Sequence, residues 1–182
     1  MLRQILRLLE RCGPSPAGSA KDFYEPMMAP VLRDPQLQRT LESTAACLNE
    51  AGVAWMVFGG AALVLHGHFE NAVKDIDIIV TEADASTLAK SFSWENYADR
   101  QSSRFRSNYL LRPNFGRVPV EIMGGFCVRT ETGWTAILPN EMQPIRIGSQ
   151  IAYLPPKNRL VEILRLCGRR EDLIRAEALS RL

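Results

Sequence analysis

Over residues 36–50 the apolar positions recur at three- and four-residue intervals, with Leu37, Leu41, Ala45 and Leu48 on one face. That spacing predicts an amphipathic helix, with Gly52 as its stop. Residues 53–58 are instead a continuous apolar run, the pattern of a short buried strand, and Gly59-Gly60 turns it into a helix over about 61–66. A second apolar run predicts a strand at 75–80, followed by a helix over 82–92 with Leu88 and Phe92 on its inner side. Beyond this the period falls to two. Over 104–112 Phe105, Tyr109 and Leu111 alternate with Arg104, Arg106, Asn108 and Arg112. Over 118–123 Val118, Val120 and Ile122 alternate with Pro119, Glu121 and Met123. Phe115-Gly116 lies between the two stretches, which together read as a β-hairpin. A further strand is expected near 151–154. Pro155-Pro156 then introduces a helix over about 157–167, which Gly168 stops, and a last helix follows.

The first twelve residues, MLRQILRLLERC, form a basic amphipathic pattern with Arg3, Arg7 and Arg11 at helical spacing. Glu10 and the lack of serine argue against a transit peptide, leaving a helix that packs on the body or on a second subunit, as in a homodimer. The following Pro-, Gly- and small-residue-rich stretch reads as a connector. The division expected is therefore 1–35 for the helix and connector, 36–154 for the core and 155–182 for a C-terminal helical pair. The fold class is α/β or α+β, a small mixed β-sheet flanked by helices.

Composition narrows this little further. The 182 residues are 46% hydrophobic and 23% charged, as in a soluble globular protein, and the net charge of +2 does not by itself imply a nucleic-acid partner. No apolar run approaches the roughly 20 residues of a membrane span, so no membrane association is expected. Cys12, Cys47, Cys127 and Cys167 are scattered, without the close pairs of zinc sites, and suggest free thiols in a reducing cytoplasm.

The chemistry concentrates in residues 57–80, VFGGAALVLHGHFENAVKDIDIIV. On a strand, Asp75 and Asp77 project to one face while Ile76, Ile78 and Val80 face the core. Adjacent carboxylates at the lip of a buried strand are costly unless a positive charge lies between them, and a divalent metal with phosphate beyond it is the simplest candidate. Glu121, on the face opposite Val120 and Ile122, is the best third oxygen ligand. Three such carboxylates could hold two Mg²⁺ ions roughly 3.5–4 Å apart. Gly59 and Gly60 would let backbone N–H groups approach phosphate oxygens at a helix N-terminus. Lys74 is a candidate phosphate contact or a surface lysine. His66 and His68 lack a third soft ligand, so His66 is expected to cap or pack behind the glycine turn. Residues 100–118 hold Arg100, Arg104, Arg106, Arg112 and Arg117, with Arg104, Arg106 and Arg112 on one face. They could bind triphosphate or an anionic acceptor such as RNA, or form a solvated face. Trp55, Trp94 and Trp134 are expected in the core or at its rim.

Gly59-Gly60-Ala61-Ala62, His66-Gly67, Asp75-Ile76-Asp77 and a distal strand acid together resemble the nucleotidyltransferases of the DNA polymerase beta superfamily. The likeness is to its small bacterial members, including lincosamide-type antibiotic transferases and abortive-infection toxin enzymes. It covers residues 36–125, with Arg165 and Arg169-Arg170-Glu171-Asp172 a looser match to the family's C-terminal motif. The resemblance implies transfer of NMP from an NTP to an acceptor hydroxyl, with release of pyrophosphate. Asp75, Asp77 and Glu121 would be catalytic and metal-binding, and Gly59, Gly60 and Lys74 would hold the nucleotide. The acceptor could be a small molecule, a protein or RNA. This chain has Asn71 where many relatives have Arg, Val73 where they have Thr or Ser, and Glu121 where Asp is commoner. Those departures motivate a second reading, a nucleotidyltransferase fold without turnover that acts as a binding or regulatory partner of toxin–antitoxin type.

Overall fold

The computed structural model describes residues 26–68, 73–99 and 101–182. The expected N-terminal helix, most of the connector, Asn71 and Arg100 lie outside the described residues. Helix α1 (Pro35–Glu50) starts where the sequence signals it. Asp34 caps it by accepting from Gln36 N–H at 2.8 Å, and Pro35 occupies the first turn, where no N–H is needed. Its inner face carries Leu37, Leu41, Ala45 and Leu48 together with buried Thr40 and Thr44. Those hydroxyls are satisfied by the carbonyls of Gln36 and Thr40 at 2.8 and 2.7 Å, so burying them leaves no orphan polar group.

The centre is a four-stranded sheet made of β2 (Trp55–Phe58), β3 (Ile76–Val80), β6 (Val120–Gly124) and β5 (Tyr109–Leu111), in that order. β3 runs antiparallel to β2 and parallel to β6, and β5 runs antiparallel to β6. Every residue of β2 is buried, as its unbroken apolar run requires. Helix α2 (Gly59–Leu65) follows β2 without a linker, and α3 (Glu82–Phe92) covers β6 and β5. Thr81 caps α3 by accepting from Asp84 N–H at 3.1 Å.

Two further sheets flank the centre. One joins β1 (Met27–Met28), β9 (Gln143–Ile147) and β10 (Gln150–Leu154), with α1 packed on β9 and β10. The other joins β4 (Phe105–Arg106), β7 (Cys127–Thr130) and β8 (Gly133–Ala136). Two packed helices close the described chain: α4 (Lys157–Cys167), closed by Gly168 at φ +65°, and α5 (Arg170–Ser180).

This α+β architecture matches the expected class but holds three small sheets rather than one. The period-two segment 104–112 is not one strand. β4 pairs with β7 while β5 pairs with β6, so a single alternating pattern serves two sheets. Among the described residues no helix is long and apolar enough to cross a membrane.

Candidate functional site

Strand register assembles the acids. Asp77 lies opposite Phe58 on one side and opposite Glu121 on the other. Opposed residues in a ladder project to the same face, so the two carboxylates stand side by side by virtue of backbone pairing alone. β5 extends the same row. Leu111 faces Ile122, which brings Arg112 across from Glu121, and Arg112 donates from both Nε and Nη2 to Glu121 Oε1 at 2.9 Å. Asp75 sits exposed just before β3, two residues from Asp77 and so on its side. The N–H of intervening Ile76 donates to Pro119 O at 2.8 Å and ties this entry to the start of β6.

Gly59 makes room for Asp77. Its φ is +62°, a region L side chains rarely adopt, and a β-carbon there would collide with Asp77 Oδ2. The backbone of the Gly-Gly turn therefore packs directly against the carboxylate. Of the two glycines expected to cradle phosphate, Gly60 reaches the wall of the adjoining cleft, while Gly59 is buried.

That cleft, of about 400 Å³, is lined by Asp75, Asp77 and Glu121 together with Gly60, Lys74, Asp99, Arg106, Arg169, Glu171 and Arg175. Phe58, Phe105 and Phe126 supply an aromatic side, with Phe126 centred 6.0 Å from Phe58 and 5.9 Å from Phe105. Burial first, and then the charges of Asp75 and Glu121, push the Asp77 carboxyl up to about 7, against the opposing pull of Arg169 and Arg175. The three acids thus share one cleft and sense each other. Among the described residues, however, no group of three or more His, Cys, Asp or Glu side chains is drawn together closely enough to hold a metal ion as it stands.

Arg169 and Arg175 are the contributors that the sequence did not single out as site residues. Arg169 precedes α5 and is held rigidly. Its Nε and Nη2 donate to Asp172 at 2.8 and 2.9 Å, its Nη1 pairs with Glu171 at 3.0 Å, and its guanidinium lies 5.1 Å from the Phe105 ring. Asp172, 1% exposed, also accepts from Arg169 N–H at 3.2 Å and so caps the helix. The Arg-x-x-Asp spacing signals a helix start, but nothing local says that it faces Asp77.

Other expected residues find separate uses. His66 ends α2, and its Nε2 lies 2.9 Å from Pro155 O. A carbonyl only accepts, so Nε2 carries the proton, and burial lowers the imidazole's tendency to take a second one. His66 thus ties the end of α2 to the segment before α4, where a place behind the glycine turn was expected. Arg104, Arg106 and Arg112 do not share a face. Arg104 donates to Cys167 O at 3.0 Å, Arg106 stacks over Trp134 at 4.4 Å, and Arg112 holds Glu121. Trp55 is in the core, with its indole N–H on Asn49 Oδ1 at 3.0 Å, and Trp94 stacks on Phe92 at the rim. Cys47, Cys127 and Cys167 are free thiols, and burial pushes Cys47 and Cys167 up to about 11 and about 12, which leaves them unreactive.

No family model and no curated protein matches the chain in sequence. Solved structures do match it in fold. A provisionally assigned nucleotidyltransferase from Thermotoga maritima superposes with a TM-score of 0.60 at 23% identity, over 87% of this chain and 96% of that one. An antigenic nucleotidyltransferase-like protein from Paracoccidioides brasiliensis gives 0.50 at 17% identity, over 84% and 77%. The lincosamide antibiotic adenylyltransferase LnuA, with lincomycin bound, gives 0.50 at 15% identity, over 78% and 94%.

Proposed function

Because the chain has a nucleotidyltransferase fold, we infer that it is a metal-dependent nucleotidyltransferase, moving NMP from an NTP to an acceptor hydroxyl. The observation that carries this reading is the in-register pair Asp77–Glu121, set against Gly59 in a cleft that also holds Asp75. The donor set suits Mg²⁺: three hard carboxylate oxygen sources, with Asp77 made unfavourable as an anion by burial and by its two neighbours, a penalty that a cation relieves. Asp75, Asp77 and Glu121 would hold it. Bound there, Mg²⁺ would neutralise phosphate charge and make a hydroxyl easier to deprotonate.

The chain's own groups account for the rest. Lys74 and Arg169 offer positive charge to a triphosphate, and Gly60 offers backbone without a side chain in the way. The acceptor oxygen attacks the α-phosphorus, the bond to the β-phosphate oxygen breaks, and pyrophosphate leaves. Glu121, at the far side of the acid row, takes the acceptor's proton. The aromatic side of the cleft gives a base or an acceptor ring a surface to stack on.

Calorimetry with each Mg-NTP tests the reading. Binding that needs the metal and disappears in Asp77→Ala is the expected result, and a chain that binds no NTP overturns it. The grip of Arg112 on Glu121 favours a second reading, a fold that binds nucleotide without turnover. Under that reading Mg-NTP binding persists while radiolabelled NTP yields no product with any acceptor pool.

A further inference from the structure

Of the three acids that would take the metal, Glu121 already has a cation. Arg112 reaches across from the end of β5 and closes two nitrogens, Nε and Nη2, on the single oxygen Oε1 at 2.9 Å. Asp75 and Asp77 form no such ion pair among the described residues. The pair is open to solvent, with 53% of the Arg112 side chain and 28% of the Glu121 side chain exposed, so it adds little to stability for its own sake. Its position is more telling. A guanidinium on Glu121 cancels one of the three negative charges that would attract a divalent ion, and it does so without burying either partner.

Arg112 also has a second place to go. Its guanidinium carbon lies 5.6 Å from the centre of the Tyr97 ring, and the Tyr97 hydroxyl donates to Glu95 Oε2 at 2.8 Å. An aromatic face whose hydroxyl is bonded to a carboxylate therefore stands beside it, and neither Tyr97 nor Glu95 lines the cleft. A planar cation released from Glu121 can stack on the ring and stay near the Glu95 charge.

We propose that Arg112 is a positioning residue that serves as the counter-ion of Glu121 in the metal-free site and competes with the divalent ion for that carboxylate. Entry of the ion is then coupled to movement of the guanidinium toward Tyr97 and Glu95. This rests on the reading of Asp75, Asp77 and Glu121 as the metal site. It sets two effects of Arg112 in opposition: the residue stabilises the metal-free protein by relieving repulsion in the acid row, and it weakens the ion. An ordinary structural arginine would help both or neither.

The test is Mn²⁺ binding, followed by electron paramagnetic resonance on the full chain without nucleotide, alongside the melting temperature of the metal-free protein. Arg112→Ala should lower that melting temperature yet bind Mn²⁺ about fivefold more tightly, the most that releasing one exposed ion pair supplies. Arg112→Lys, which keeps the charge but loses the two-nitrogen grip, should fall between. The gain should vanish when Arg112→Ala is combined with Glu121→Gln. If Arg112→Ala and Arg112→Lys bind Mn²⁺ no better than the parent, the competition is refuted while the metal site stands. A gain that survives Glu121→Gln would be a general charge effect and also refutes it. If the parent and every variant fail to bind Mn²⁺, both the competition and the metal-site reading fall.

Discussion

Asp77 is stabilised as an acid and destabilised as an anion, and that has a measurable sign. Its carboxyl is raised from an ordinary 3.8 to about 7 in the fold. Between those values the native protein keeps a proton that the unfolded chain has lost, so stability declines as pH rises through the window and is lowest above 7. Asp77→Asn removes the dependence. Its melting temperature should exceed that of the parent at pH 8 and converge with it near pH 4, each kcal/mol appearing as about 2–4 °C in a chain of this length. Gly59→Ala should do the opposite at any pH. It forces a left-handed backbone on alanine, costing about 1–2 kcal/mol before the collision with Asp77 is counted, as urea unfolding would show. The residues involved were legible to different degrees. Asp75, Asp77 and Glu121 follow from alternation along apolar strands, because period two fixes the face. The bond between Arg112 and Glu121 does not, because it depends on which strand β5 chooses as its neighbour. Arg169 was visible only as part of a loose C-terminal match, since it reaches the acids through the return of the last helix and not through any local pattern.

Among the elements, the junction between α4 and α5 does the most for the cleft. Gly168 turns the chain, Arg104 satisfies the Cys167 carbonyl that the turn leaves over, and buried Asp172 fixes Arg169 against Phe105. Replacing Asp172 by Asn should cost about 2 kcal/mol, the range for hydrogen bonds to charged groups. It should also weaken Mg-NTP binding, since Arg169 would no longer be held facing Asp77; denaturant melts and calorimetry on the same variant check the two effects. The helices were easy to read from their apolar period, and three of them also carry a start or stop in the sequence: Asp34-Pro35 opens α1, Thr81 opens α3 and Gly168 closes α4. The small sheets were not. β9 and β10 are joined by Gly148-Ser149, a two-residue hairpin signal that alternation over 143–154 supports, yet Gln143, Pro144 and Arg146 dilute the apolar pattern of β9. β7 and β8 are half exposed and carry Arg129 and Trp134 on a polar background, so neither stands out as an apolar run.

For the molecule as a whole, the proposed metal site couples binding to folding. Mg²⁺ should raise the melting temperature at pH 8, where Asp77 is most often charged, and should have far less effect at pH 5, where a proton already occupies it. Differential scanning fluorimetry across the two pH values checks this, with Asp77→Asn as the variant that should lose the shift. The same assay can report something unrelated to catalysis. Phe58, Asp77, Glu121 and Arg112 form one lateral row only because β2, β3, β6 and β5 pair in the register observed. A slip of one residue between β3 and β6 would turn Glu121 to the opposite face while leaving most backbone hydrogen bonds, and hence the circular dichroism, nearly unchanged. Metal affinity would then collapse in a chain that still looked folded. With the proposed metal site, a divalent-ion titration would therefore proofread strand alignment, separating correctly threaded molecules from misthreaded ones in a refolded or redesigned preparation.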